Sequence, residues 1–487
     1  MNASFSFTIV NVLIFLCVLG LTIQTFIGLA FFISSVLENE RRATVFAAVQ
    51  FAGMATLLII FLFLVGRGFF KTSPGMELLI AGFILVILAA IFMVRKTAPN
   101  RRALLGATGY VVSKSSRFDE RMMVFARNRS IRPDSEQYDR FYSEHPQLEK
   151  YDSDRREKGG PLGKIGQIDS PYEGPNVAAL LASISMPIHL CSSEIVKPHA
   201  HPWLNGNKID LSPSEATTRI KGYATNLGAD LVGIAKINPL WIYSHRGEIF
   251  HENWEDWGGK IPADHKYAVV MAHEMSADMI GPAPHTPSLV ESMKNYAKGA
   301  YLSTQLAAFI ANLGYEATAN HLRHYTAILP PLAVDAGLGE VGRLGYLITK
   351  EFGPRVRLSA VTTNLPLIPD KPVDIGVEDF CKFCKKCATC CPSESIPYAE
   401  PTEFNGTLKW KLNDETCFAY WAKAGTDCCI CMKVCPWSHA RTFPHRLIVR
   451  LITRNKYARK IFSVMDDIFY GRISLPKKAP KWARFKK

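Results

Sequence analysis

Residues 7–37, 43–65 and 76–94 are three apolar runs with almost no charge. Each is near or beyond the roughly 20 residues that carry a helix across the hydrocarbon core of a bilayer, so the pattern predicts three transmembrane helices. A cleaved leader would be one shorter apolar run behind a basic start. Here residues 1–7 carry no charge and two further runs follow. Between 95 and 174 the periodicity dissolves into Ser, Asp, Arg and Gly clusters, which reads as an extended wrap or linker with short helices. The aromatic stretch 138–142 is its candidate for burial. From 176 to 367 helical and strand periods alternate. Residues 213–227 read as a helix behind the cap-like Ser212, 231–237 and 267–275 as strands, 288–313 as a long helix stopped by Gly314, and 357–363 as another strand. That alternation predicts an α+β domain on a mixed sheet. The chain divides into a membrane anchor at 1–95, a polar linker at 96–175, an α/β domain at 176–367, a cysteine-rich domain at 368–440 and a basic tail at 441–487.

Composition changes this picture through charge. The net charge is +14, and residues 441–487 hold fourteen lysines and arginines against only Asp466 and Asp467. Such a tail is either a solvated end or a contact for an anionic surface; the cytoplasmic leaflet is the surface favoured here. Around the spans, Arg41, Arg42, Arg95, Lys96, Arg101 and Arg102 fall on one side, and Arg67 and Lys71 on the other. The positive-inside rule then places the rest of the chain in the cytoplasm, as a multi-pass protein of the cytoplasmic membrane. No histidine precedes His145, which argues against a haem between the spans.

The cysteine-rich domain reads Cys381-x2-Cys384-x2-Cys387-x3-Cys391-Pro392, then Cys417-x10-Cys428-x2-Cys431-x3-Cys435-Pro436. The first run has the spacing of a bacterial two-cluster 4Fe-4S ferredoxin, in which the fourth cysteine serves the other cluster. Crossing over predicts Cys381, Cys384, Cys387 and Cys435 on one cluster, and Cys417, Cys428, Cys431 and Cys391 on the other. Zinc sites favour paired Cys-x2-Cys knuckles instead. Cys390 and Cys429 read as bystanders. Upstream, Gly337, Gly339 and Gly342 satisfy G-x-G-x-x-G, but without the strand, helix and distant acid that a dinucleotide fold requires. Either the bare backbone admits a large planar cofactor or its phosphate tail, or the glycines form a purely structural turn.

The two cysteine runs, with Trp421 between them, and the stretches AGLGE at 336–340 and EFGPRVR at 351–357 together resemble the reductive dehalogenases over roughly residues 176–439. The resemblance implies a cobalamin in a nitroreductase-like α/β domain at 176–367, two 4Fe-4S clusters in a ferredoxin-like domain at 368–440, and removal of halide from an organohalide substrate. It also implies a catalytic tyrosine with a basic residue close to cobalt, which in this chain correspond to Tyr296 and Arg357. A phenol with a pKa of about 10 is a poor acid unless a fixed cation stabilises the phenolate, a role open to Arg357. Tyr301, five residues on, is turned about 140° away on a helix. A further polar residue is expected from Asn320, Arg323 or His324. Respiratory members carry an export leader and dock to a separate membrane protein, whereas this chain reads with spans of its own, which points away from a periplasmic respiratory role.

The implied electron donor is a low-potential ferredoxin, flavodoxin or flavoprotein. Two rival readings are an epoxyqueuosine reductase acting on tRNA and a membrane-anchored ferredoxin that only relays electrons. The spans, and a tyrosine where the former family uses an aspartate, oppose the first, so no nucleic-acid partner is expected. The large α/β domain opposes the second.

Overall fold

The computed structural model describes residues 3–158, 178–179, 181–183, 195–196, 208–249, 255–473 and 475–484; the boundary at residue 176 lies outside them. The chain forms two compact units, one of Met1–Ala98 with Ala440–Ser474 and one of Pro99–His439 with Leu475–Lys487. In the first, α1 (Ala3–Leu37), α2 (Arg41–Gly66) and α3 (Ser73–Val94) are each long and apolar enough to cross a membrane. Protein buries very little of their apolar surface, as suits helices whose solvent is hydrocarbon.

The second unit is built on a five-stranded sheet of β1 (Ile195–Val196), β2 (Leu231–Lys236), β3 (Tyr267–Glu274), β4 (Ala317–Asn320) and β5 (Val356–Thr363), in the order β1-β4-β5-β3-β2. Every pairing is antiparallel, which corrects the expected mixed sheet. The helical crossover does join two parallel strands, β3 and β4, but β5 returns between them and pairs with both. Along β3 the side chains alternate between two cores. Val269 and Met271 pack with α4 (Pro213–Asn226) and α5 (Thr286–Asn312), while Ala268, Val270 and Ala272 pack on the other face with the helix Leu329–Asp335. Ser212 and Glu215 form a reciprocal capping box at the start of α4, which satisfies donors that the helix itself cannot.

After the last sheet strand the chain forms α6 (Val377–Cys384) and α7 (Asp414–Ala424), which carry cysteines, and later in sequence α8 (Phe443–Ile452) and α9 (Lys456–Tyr470). The last two belong to the same unit as the spans, so most of the basic C-terminal segment is folded helix.

The polar segment after the spans also folds, as short helices as far as Lys158. Its fully buried Asp152 accepts from Arg127 at 2.9 Å, Arg155 at 3.1 Å and Tyr142 at 3.0 Å. Both arginines also pair with Glu415 in the first turn of α7. Phe141 and Tyr142 are buried with Trp257. A carboxylate buried this deeply is tolerated only because two guanidiniums and a phenol satisfy it. Removing one partner of a buried pair costs about 3–5 kcal/mol, so Asp152→Ala should lower unfolding stability by that amount in urea titrations of the purified protein. A loss below ~1 kcal/mol would show that the network is solvent-screened.

Candidate active site

The face of α5 that meets β5 carries Ser292, Tyr296, Gly299 and Ser303, at the i, i+4, i+7, i+11 spacing of one helical stripe. At Gly299 the helix comes close: a Cβ there would lie 3.2 Å from that of Ser359. Ser359 in turn meets His273 Nε2 at 2.8 Å. Arg357 lies two residues before Ser359 on β5 and opposite His273 in register, so its side chain faces the same helix. The guanidinium carbon sits 5.1 Å from the centre of the Tyr296 ring, a cation–π contact on the ring face. Tyr301 points away and is 42% exposed.

Arg357 is anchored from a third direction. Its Nη2 donates to Ser292 Oγ at 2.8 Å and to Asp427 Oδ2 at 3.0 Å, and Ser292 Oγ donates to the same carboxylate oxygen at 2.5 Å. Asp427 immediately precedes Cys428, so the loop that carries the cysteines grips the arginine. Burial pushes the Tyr296 phenol upward more strongly than Arg357 pulls it down, with Asp427 adding to the rise. Buried charge pairs have no recurring spacing, which is why sequence reasoning passed over Asp427 and Ser292.

The eight cysteines fall into two groups. Cys435 lies with Cys381, Cys384 and Cys387. Cys417 and Cys428 lie with Cys391, and Cys431 lies beside both. Burial, reinforced by the neighbouring thiols, pushes Cys387 and Cys417 each up to about 12. The two runs also share a backbone turn: Lys385, between Cys384 and Cys387, and Cys429, between Cys428 and Cys431, both adopt the left-handed conformation (φ 51° and 56°) and both start a short helix. Four crowded, buried thiols are poor packing material, but as thiolates they suit iron. Cys429 lies 3.7 Å from Ser292 Oγ, at the seam between the cysteine loop and α5.

The glycine string serves the chain's own packing. A Cβ on Gly337 would meet the Lys371 carbonyl oxygen at 2.5 Å, and one on Gly339 that of Ile348 at 2.2 Å. Gly342 abuts the Ile348 side chain and faces Cys381 Sγ. Glu340, within the string, accepts from the N–H groups of Ile375, Gly376 and Val377 at 2.7, 2.8 and 3.2 Å, capping the helix that bears Cys381 and Cys384. Its carboxyl is nonetheless pushed up to about 7, by burial and then by Asp374.

Of the three further candidates, Asn320 is committed to its own turn, where Oδ1 accepts from Thr326 N, Thr326 Oγ1 and Ala327 N. Arg323 lies 3.9 Å from Glu248, which also pairs with Arg129 at 4.0 Å. Burial and the adjacent His321, Arg246 and Arg323 depress His324 to about 3. Arg129 and Glu248 are close enough to Tyr296 to bear on its phenol, and both were missed because they come from segments without regular periodicity.

One cavity joins these parts. It spans about 780 Å³, open solvent included, and is lined by Tyr296, Tyr346 and Arg357 together with Cys391, Cys417, Cys428 and Cys431. Phe125, Ile396 and Trp421 supply apolar wall. Arg357 Nε is buried and has no acceptor among the described residues, so the cavity offers a bound group a fixed donor.

No family model matches the chain. It is 33% identical over 292 residues to the tetrachloroethene reductive dehalogenase of Sulfurospirillum multivorans, covering 53% of this chain and 58% of that protein. It is 32% identical over 353 residues to a tetrachloroethene reductive dehalogenase of Desulfitobacterium hafniense, covering 61% and 63%. The chain thus spans less than two thirds of the length of either relative. A solved reductive dehalogenase, reported with a mechanism for B12-dependent dehalogenation, matches with a TM-score of 0.54 at 27% identity, over 77% of this chain and 54% of that one.

Removing the Asp427 carboxylate leaves the buried Arg357 without a countercharge in that loop, held by the Ser292 hydroxyl and, weakly, the Met432 sulfur. Asp427→Ala should therefore destabilise the protein by about 3–5 kcal/mol, measured by chemical unfolding under anaerobic conditions. Asp427→Asn, which keeps an acceptor, should cost clearly less; equal losses would remove the charge pairing from the account.

Proposed function

The chain is a relative of the reductive dehalogenases, and on that premise we propose that it is a cobalamin- and iron-sulfur-dependent oxidoreductase that replaces the halogen of an organohalide with hydrogen. The observation that carries this reading is the single cavity shared by the Tyr296–Arg357 pair and the second group of thiols. Cys381, Cys384, Cys387 and Cys435 would hold one 4Fe-4S cluster in a ferredoxin-like arrangement, and Cys391, Cys417, Cys428 and Cys431 the other. Tyr346, Leu344 and Met432 line the cavity where cobalamin would bind, and Arg357 Nε offers it or the substrate a donor. When bound, cobalamin would supply the low-potential metal centre for breaking the carbon–halogen bond. The glycine turn at 337–342 is assigned to seating the first cysteine helix.

The chain's own residues then manage the proton. Burial keeps Tyr296 protonated in the resting site, so the phenol holds its proton at Oη until a strong base develops at carbon. Arg357, fixed by Asp427 and Ser292, stabilises the phenolate left behind. Phe125, Ile396 and Trp421 restrict water that would otherwise compete as proton donor. Overall, two electrons and one proton convert the carbon–halogen bond to carbon–hydrogen and free halide. The electrons come from a low-potential ferredoxin, flavodoxin or flavoprotein. The three apolar helices anchor the chain in the cytoplasmic membrane, and the excess of arginine and lysine around Arg41 and Arg95 supports a cytoplasmic catalytic unit.

Protein purified without oxygen should contain roughly one cobalt and eight irons per chain; irons with flavin and no corrinoid would defeat the proposal. Tyr296→Phe should cut halide release by ~10²–10⁴-fold with metal content unchanged, and full turnover by that variant would remove the phenol from the mechanism. Glu340→Ala, which uncaps the helix bearing Cys381 and Cys384, should lower iron to about half while the second group stays loaded.

A further inference from the structure

The first unit holds a feature that the proposed chemistry does not use. α9 is a 15-residue helix, about 22 Å long, and it is fixed at both ends. At its start, Asn455 Nδ2 donates to the carbonyls of Phe92 and Arg95 at 2.6 and 2.9 Å, closing the end of α3. The Asn455 Oδ1 accepts from Tyr457 N and Ala458 N, capping α9 itself. At its far end Phe469 packs against Phe31 of α1 and Phe46 of α2, at ring-centre distances of 5.0 and 5.8 Å. Arg42 Nε donates to the Ile468 carbonyl at 2.9 Å.

These anchor points share one side of the spans. α1 ends and α2 begins there, and α3, having started on the opposite side, returns to end there. A helix pinned between the end of the third span and the turn joining the first two must lie across the bundle end, along the membrane boundary. Its outer face is apolar: Tyr457, Ile461, Val464 and Ile468, at i, i+4, i+7, i+11, are 46%, 41%, 56% and 44% exposed. That stripe is continuous with the lipid-facing surface of the spans, because the Tyr457 ring stacks at 4.6 Å on Phe92, itself 45% exposed. Charge on α8, α9 and the turn between them follows the same plan. Arg446, Arg450, Arg454, Lys456 and Lys460 are exposed, Asp466 is buried, and Asp467 pairs with Arg472 at 2.9 Å.

We propose that α9, with the basic side chains of α8, is an interfacial helix that inserts its Tyr457–Ile461–Val464–Ile468 stripe into the headgroup boundary of the bilayer crossed by α1–α3 and binds anionic lipid. The apolar face supplies insertion and the lysines and arginines supply lipid selectivity. The inference rests on the spans crossing a membrane and is independent of the reaction proposed for the other unit.

The test uses the full chain, one molecule per nanodisc, in phosphatidylcholine alone or with a third phosphatidylglycerol. Amide exchange at 457–470 should be at least ~10-fold slower in the anionic discs, and 1 M salt should reverse the difference. The double variant Ile461→Glu, Val464→Glu should abolish that protection while exchange in the three spans stays at the wild-type rate. Equal exchange in the two lipids, full protection in the double variant, or protection that appears only with two chains per disc would overturn the proposal, the last by assigning the stripe to a second copy.

Discussion

A buried guanidinium is expensive unless its charge is answered within hydrogen-bonding distance. In this chain the answer comes from the loop that carries the cysteines. Arg357 reaches from β5 to a helix on one side and to Asp427 on the other, so sheet, helix and cysteine loop meet at one cation. That meeting fixes the rotation of α5, since only the stripe through Ser292 and Tyr296 can accept the arginine. The phenol is thereby set on the cavity wall and the exposed Tyr301 on the outside.

The cysteine-rich region is likewise held from several directions. Glu340 caps the first cysteine helix from the glycine-rich turn, and Arg127 and Arg155 clamp the first turn of α7, which bears Cys417. The clamp comes from the polar stretch after the spans. Low hydrophobicity there does not mean absence of a core, because charge is buried against charge beside a small apolar cluster around Phe141 and Trp257.

What could be read in advance followed from strong local signals. The two long helices and three of the sheet strands of the α/β unit appear within two residues of their expected bounds, because periodic apolar spacing, a Ser212 cap and a Gly314 stop encode them directly. β4 was invisible: Ala317–Asn320 is four residues without a branched aliphatic or aromatic, and only its neighbours make it a strand. The helix Leu329–Asp335 hides behind two prolines, which are tolerated at its first turn. The mixed-sheet expectation failed because alternation along the chain does not reveal that a later strand slots between two earlier ones. At the site, the cysteine spacing carries the expectation of two groups of four. Asp427, Glu340, Arg129 and Glu248 could be found only once the fold had brought distant charges together.

Within the cysteine stretch, Lys385, Glu394, Cys428 and Cys429 all hold left-handed backbone without being glycine, at roughly 1–3 kcal/mol each. A free chain would relax those turns. Whatever the eight sulfurs grip therefore also shapes the loop through Asp427, and with it the seat of Arg357. On the function proposed above, filling the two cysteine groups and seating Arg357 against the Tyr296 ring are a single event of maturation, and a half-assembled molecule would be inert rather than partially and harmfully reactive.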